Sequence, residues 1–295
     1  MPWMPTLFAT LLVLGVAINQ YPTVASWVSQ YYQSQLIVDV TGGQVRQADS
    51  KLTAEIERAH SYNDLLVSGG LVPAHTNKPT AQASRVGEYD YRDLLNATDA
   101  GVMGRLRIPA IEVDLPIYHG TDDETLTKGV GHLEGTSLPV GGVSQHSVLT
   151  AHRGLPEATL FNDLDRVTVG DTFVLEVFGE VLTYQVMETQ IVDPGDSQTI
   201  VPVYGRDLVT LVTCTPLGIN SHRILVTGER VYPTPVRDIQ ASGQRPDIPG
   251  FPWWIVYLSG AVVLAVGYVW RSGYTEARAY ERRVGRASED TSLPS

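Results

Sequence analysis

Along the first 88 residues the apolar positions follow two rhythms. Met4–Ile18 is an unbroken apolar run without a charge. A full membrane span needs roughly 20 residues, so this run reads as a signal-peptide core or a short signal anchor. Thr23-Val24-Ala25 offers a peptidase site, and no Lys or Arg precedes the run. The expectation is a retained anchor with the following chain exported. Tyr21–Gln35 is rich in Trp, Tyr, Ser and Gln, a composition suited to the membrane–water interface. From Asp49 to Ser68 the spacing turns helical, with Leu52, Ile56, Ala59, Leu65 and Leu66 on one face and Gly69-Gly70 as a stop. Residues 71–88 are polar and proline-containing, a connector or a loop over the main domain.

After Tyr89 the period changes to two. Val102–Tyr118 alternates apolar and polar residues between prolines and predicts short strands. Thr121–Lys128 predicts one or two helical turns, and Gly129–Gly142 a glycine-rich loop. Strands are expected at Ser147–Thr150, Phe173–Phe178, Val181–Glu188, Leu208–Thr213 and Ile224–Thr227. No long helix interrupts Thr168–Arg230, which argues against a parallel α/β sheet and for a mainly antiparallel barrel or sandwich. Residues 231–250, with four prolines, read as a spacer. Pro252–Trp270 is then a second apolar helix with aromatic residues at both ends, closed by Arg271.

The five arginines at 271, 278, 282, 283 and 286 assign the tail to the cytoplasm, so residues 22–250 are expected outside the plasma membrane. The resulting plan is an anchor at 1–21, a helix and connector at 22–88 (a candidate lid), a β domain at 89–235, a linker at 236–251, a membrane helix at 252–270 and a tail at 271–295. A net charge of −11 without a basic stripe argues against nucleic acid as a partner. One cysteine cannot form an internal disulfide, and no Cys/His cluster has zinc spacing, so no metal or cofactor is expected.

That cysteine lies in the most informative stretch, Asp207–Arg230. Two β-rich runs flank a loop with Pro216, Gly218, Asn220 and Ser221, placing Cys214 where one strand ends and Arg223 where the next begins. Antiparallel pairing would bring thiol and guanidinium together, and a nearby cation favours the nucleophilic thiolate. The bland alternative is a small buried hydrophobe. Acyl transfer needs a base or ion-pair partner as well. His152 ends a predicted strand before a glycine turn, the usual place for a catalytic side chain. His132, in the glycine-rich loop, reads better as backbone-bonding. His222 should point to the face opposite Arg223. His60, His75, His119 and His146 read as solvated or locally bonded.

Thr210-Leu-Val-Thr-Cys214, followed nine residues later by Arg223, resembles the signature of sortases, the cysteine transpeptidases of Gram-positive surfaces. Leu149-Thr-Ala-His152-Arg-Gly resembles the family's histidine segment. Ile108–Gly120, Gly129–Pro139, Cys214–Arg223 and the second membrane helix resemble class C, the pilin polymerases. The resemblance covers about Tyr89 to Arg230. It implies an eight-stranded β-barrel with an N-terminal helical extension and flanking transmembrane helices. It also implies Cys214 as nucleophile, His152 as acid/base partner and Arg223 as oxyanion or substrate stabiliser. Partners would be pilin subunits or other surface proteins with LPXTG-type sorting signals, joined through a thioester on Cys214 to a pilin lysine. One feature departs from class C: residues 70–88 offer only Asn77-Lys78-Pro79-Thr80 where many members carry an Asp-Pro-aromatic lid motif. The rivals are a sortase that uses a peptidoglycan amine and, in a different class, a non-catalytic membrane-tethered assembly module. An L,D-transpeptidase would need a Ser-His-Gly-Cys order that is absent.

Overall fold

The computed structural model describes residues 3–45, 49–68, 85–96, 101–194, 200–247 and 249–290. Two helices begin the chain, α1 (Trp3–Val45) and α2 (Asp49–Ser68), followed by a hairpin of β1 (Arg85–Val86) and β2 (Tyr89–Asp90). The β domain holds β3 (Val102–Ile108), β4 (Val113–His119), α3 (Asp123–Lys128), β5 (Val130–His132), β6 (Gln145–Thr150), β7 (Thr172–Val177), β8 (Glu180–Val192), β9 (Asp207–Thr215) and β10 (His222–Arg230). Two helices end it, α4 (Val236–Ala241) and α5 (Trp253–Asp290).

Strands β3 to β10 close into an eight-stranded barrel in the order β10-β8-β7-β3-β4-β5-β6-β9. Alternate residues point inward and supply the core: Leu106, Leu115, Ile117, Leu149, Phe173, Leu175, Tyr184, Leu211 and Val226 are among those packed together. Most neighbours are antiparallel, as the alternating pattern predicts. Two joints are not, because β4 runs parallel to β5 and β6 parallel to β9. The barrel is therefore mixed. A parallel pair needs a crossover between its strands. For β4 and β5 the crossover contains α3, whose Asp122 cap accepts from the Thr125 amide. For β6 and β9 it contains all of β7 and β8. The loop expected over 129–142 likewise begins with a strand, since β5 pairs on both sides.

Helix α2 has the bounds its sequence predicts, and Leu52, Ile56, Ala59 and Leu66 face the core as expected; Leu65 does not. Ile56, Ala59, Tyr62, Asn63 and Leu66 are buried, whereas Leu65 is 42% exposed. The spacing 56, 59, 63, 66 is the true stripe. It escapes a hydrophobic reading because its third member is an asparagine. The Asn63 amide donates to the Leu138 carbonyl and accepts from the Leu138 amide, so its polarity is fully matched in the core. Most of the connector at 71–88 lies outside the described residues. The expected spacer after Arg230 instead packs on the barrel: Asp238 of α4 is buried and accepts from Thr183, and Arg105 donates to the Gln244 carbonyl.

The chain divides into two compact units, Val28–Pro249 and Met1–Trp27 with Gly250–Ser295. Within the first, Val40 and Leu36 of α1 pack on Val102 and Tyr118. Within the second, Trp27 donates to the Gly250 carbonyl and meets Trp254 edge to face. Two stretches, Trp3–Val40 and Trp253–Thr275, are long and apolar enough to cross a membrane.

Candidate active site

Strands β9 and β10 are joined by a tight loop, and their antiparallel register makes Cys214 and Arg223 direct partners. Directly opposed residues share a face, so thiol and guanidinium lie on the same side at one end of the barrel. Both are half-buried, and the cysteine is a free thiol. Arg223 Nη1 donates to the carbonyls of Asn220 and His222, which ties it to the loop with one of its three nitrogens.

His152 reaches the same place through the parallel joint. Thr150 of β6 pairs with Val212 of β9, and the Ala151 amide continues the ladder by donating to the Val212 carbonyl. The buried Thr213 hydroxyl donates to the Ala151 carbonyl at 2.8 Å. His152 is the next residue after that tie, two beyond the end of β6. Of the three residues singled out from the sequence, Cys214 and Arg223 are paired directly, and His152 follows the end of β6, the strand that runs beside β9.

A residue not singled out is bonded to the neighbour of the cysteine. The Arg153 side chain is 8% exposed and donates to the Asn162 carbonyl, to the Thr215 hydroxyl and, as an ion pair, to Asp165. The only hint in the sequence is its place between His152 and Gly154, and a charged loop residue is ordinarily read as solvated. Gly154 adopts φ +84°, and a Cβ there would come within 2.7 Å of Leu217, so glycine lets the two rims of the site close on each other. Leu217 and Ile219 of the β9–β10 loop are exposed beside the cysteine.

The other histidines are placed elsewhere. His132 is wholly buried, and its Nε2 faces the Ser137 carbonyl, so Nε2 carries the proton and Nδ1 accepts from the Tyr91 hydroxyl. Burial, and secondarily the charge of His119, lowers its pKa to about 4 despite the bond to Ser137. Burial also lowers those of His119 and His146. His119 lies between the carbonyls of Leu94 and Gly101, and His146 between the Val201 carbonyl and the Thr210 hydroxyl. His222 is exposed, beside Ser221 and 3.6 Å from Asp193. His60 is half-buried, and His75 lies outside the described residues. Among the described residues no group of three His, Cys, Asp or Glu is placed to hold a metal ion.

The sortase-domain profile matches residues 106–231, which runs from β3 to the residue after β10. Sortase C-1 from Actinomyces oris is 48% identical and superposes with a TM-score of 0.55, over 61% of this chain and 98% of its own. The Streptococcus pneumoniae sortase C, whose structure is described as bearing on catalysis and pilin substrate specificity, is 38% identical with a TM-score of 0.58. That match covers 67% of this chain and 96% of its own. Sortase D of Bacillus subtilis is 35% identical over 132 residues, 43% of this chain, and the chain spans 63% of that sortase's length. The fold and much of the sequence are therefore shared with proteins of known kind: the chain belongs to the sortase family, whose members are cysteine transpeptidases.

Proposed function

We propose that this chain is a membrane-anchored transpeptidase of the class C type. It cleaves an LPXTG-type sorting signal between Thr and Gly and transfers the acyl group to a lysine of a pilin subunit. The observation that supports the reading is the strand register that pairs Cys214 with Arg223 and lays β6, which ends two residues before His152, beside β9. The pilin assignment draws support from the likeness to the two sortases C.

In the first half-reaction the Cys214 thiolate attacks the threonine carbonyl carbon, and the carbonyl electrons move onto oxygen. Arg223 stabilises that oxyanion. The C–N bond to glycine then breaks, the leaving amine takes its proton from the His152 imidazolium, and a thioester remains on Cys214. In the second, a lysine amine attacks the thioester and gives its proton back to His152. The isopeptide bond forms as the thiolate departs. Two apolar helices anchor the enzyme, and the arginines beyond Trp270 assign the C-terminus to the cytoplasm, which leaves the barrel outside the cell.

Incubation of the full chain in detergent with a candidate pilin tests the reading. The expected product is a covalent ladder that Cys214→Ala and His152→Ala each abolish with the fold intact. Arg223→Ala should cost about 2.7–4 kcal/mol in kcat, the scale of a missing oxyanion donor. Turnover by either of the first two variants contradicts the roles. Linkage to a cell-wall peptide without a ladder would assign the peptidoglycan amine as acceptor.

A further inference from the structure

We infer that Arg153 is a positioning residue for the transfer reaction, one that clamps the histidine segment to the strand that carries the cysteine. The inference rests on the roles proposed above for His152 and Cys214. Those two residues are flanked along the chain by cross-strand ties. Before them, the Ala151 amide meets the Val212 carbonyl at 3.2 Å, and the Thr213 hydroxyl meets the Ala151 carbonyl at 2.8 Å. After them, Arg153 Nη1 donates to the Thr215 hydroxyl at 3.3 Å. His152 has left the β6 ladder, so without the second tie its segment is held to β9 from one side alone.

The guanidinium divides its donors among three partners. Nε donates to the Asn162 carbonyl at 2.8 Å, Nη2 pairs with Asp165 at 2.6 Å, and Nη1 reaches Thr215. The segment it braces is already closed on itself. The Gly154 amide donates to the Asn162 side chain at 2.6 Å, and the Phe161 amide donates to the His152 carbonyl at 3.2 Å. Arg153 thus fastens a rigid loop, with His152 at its root, to the residue next to Cys214. A planar fork with fixed donor directions suits this task, and a lysine ammonium cannot reproduce all three directions at once.

The consequence is kinetic. Proton delivery to the leaving amine needs the imidazole within hydrogen-bonding reach, and a misplacement of about 1 Å can cost about 100-fold in rate. Because Arg153 is spent on internal contacts, its loss should spare peptide binding.

The test uses the full chain in detergent, a quenched-fluorophore peptide containing Leu-Pro-Glu-Thr-Gly and a lysine-containing amine acceptor. Arg153→Met is expected to lower kcat by about 100-fold and Arg153→Lys by about 10-fold, with KM within about threefold of the parent and unchanged circular dichroism. Alkylation of Cys214 by iodoacetamide at neutral pH reads the same geometry without substrate, and in Arg153→Met it should slow to the rate of His152→Ala. A kcat within about threefold of the parent, or a loss confined to KM, overturns the inference. Should both Arg153 variants fail to fold, Thr215→Val removes only the accepting hydroxyl and should still lower kcat by about fivefold or more; an unchanged kcat overturns the clamp. An inactive His152→Ala beside a fully active Arg153→Met defeats the clamp alone. A fully active His152→Ala defeats the site assignment itself.

Discussion

Acid should loosen this barrel through one buried histidine. His132 has no exposed surface, and burial holds its pKa at about 4 against an ordinary 6.5. At neutral pH the imidazole is uncharged in both the folded and the unfolded chain and contributes no pH dependence. As pH falls below about 6.5 the unfolded chain gains a proton that the folded chain refuses until about 4, so stability is lost across that window. A shift of this size at 1.36 kcal/mol per unit is about 3 kcal/mol. The loss bears on the N-terminal extension, because His132 accepts the Tyr91 hydroxyl that also receives the Gly120 amide. Other groups titrate nearby, and burial of Asp207 raises its pKa, which opposes the effect. The clean quantity is therefore the difference between the parent and His132→Gln, in which the remaining groups cancel. Urea unfolding of residues 28–249 supplies it, followed by far-ultraviolet circular dichroism because all five tryptophans lie outside that unit. The stability advantage of the parent over the variant should shrink by about 3 kcal/mol between neutral pH and about pH 4. An advantage that stays constant across the window refutes the argument, since it would mean His132 accepts its proton as readily folded as unfolded.

Two packing predictions follow from equally local causes. Gly228 sits where β10 bulges against β8, and a Cβ there would lie 2.6 Å from the Phe173 ring and 3.1 Å from Tyr184 Cβ. Those two rings stack at 5.5 Å and cannot both retreat, so Gly228→Ala should cost about 1–3 kcal/mol, and a melting temperature equal to the parent's would contradict this. Asn63→Leu keeps the branched skeleton but strands the amide and carbonyl of Leu138, a loss of about 2 kcal/mol or more in urea; a neutral or stabilising change would show that water replaces the amide.

Residues 172–177, 207–215 and 222–230 were legible as strands because they hold short runs rich in β-forming residues, and the turn residues between Cys214 and Arg223 made their pairing legible too. What stayed hidden depends on partners distant in the chain. Val130–His132 is only three residues long and becomes a strand because Ile117 pairs with Val130 on one side and Thr150 with Gly131 on the other. The face of α2 was read correctly except that Leu65 stood in for Asn63, a paired asparagine that fills an apolar slot. The docked stretch after Arg230 looked like a spacer because its anchors, Thr183 and Arg105, lie about 55 and 140 residues away in sequence.

The same reasoning explains why the histidine was harder to place than the arginine. Arg223 reaches Cys214 through a local hairpin, whereas His152 reaches it across the parallel β6–β9 joint, with two whole strands inserted between. An alternation pattern carries no information about such a joint, so the motif resemblance supplied the pairing that periodicity could not. Strand geometry makes the joint unforgiving. A slip of one residue between β6 and β9 would turn Cys214 to the opposite face of the barrel and leave every composition-based reading unchanged. The Thr213 hydroxyl on the Ala151 carbonyl and the Arg153 guanidinium on the Thr215 hydroxyl stand against that slip on either side of the thiol. The position of Cys214 is thus set as much by its two threonine neighbours as by its own strand pairing.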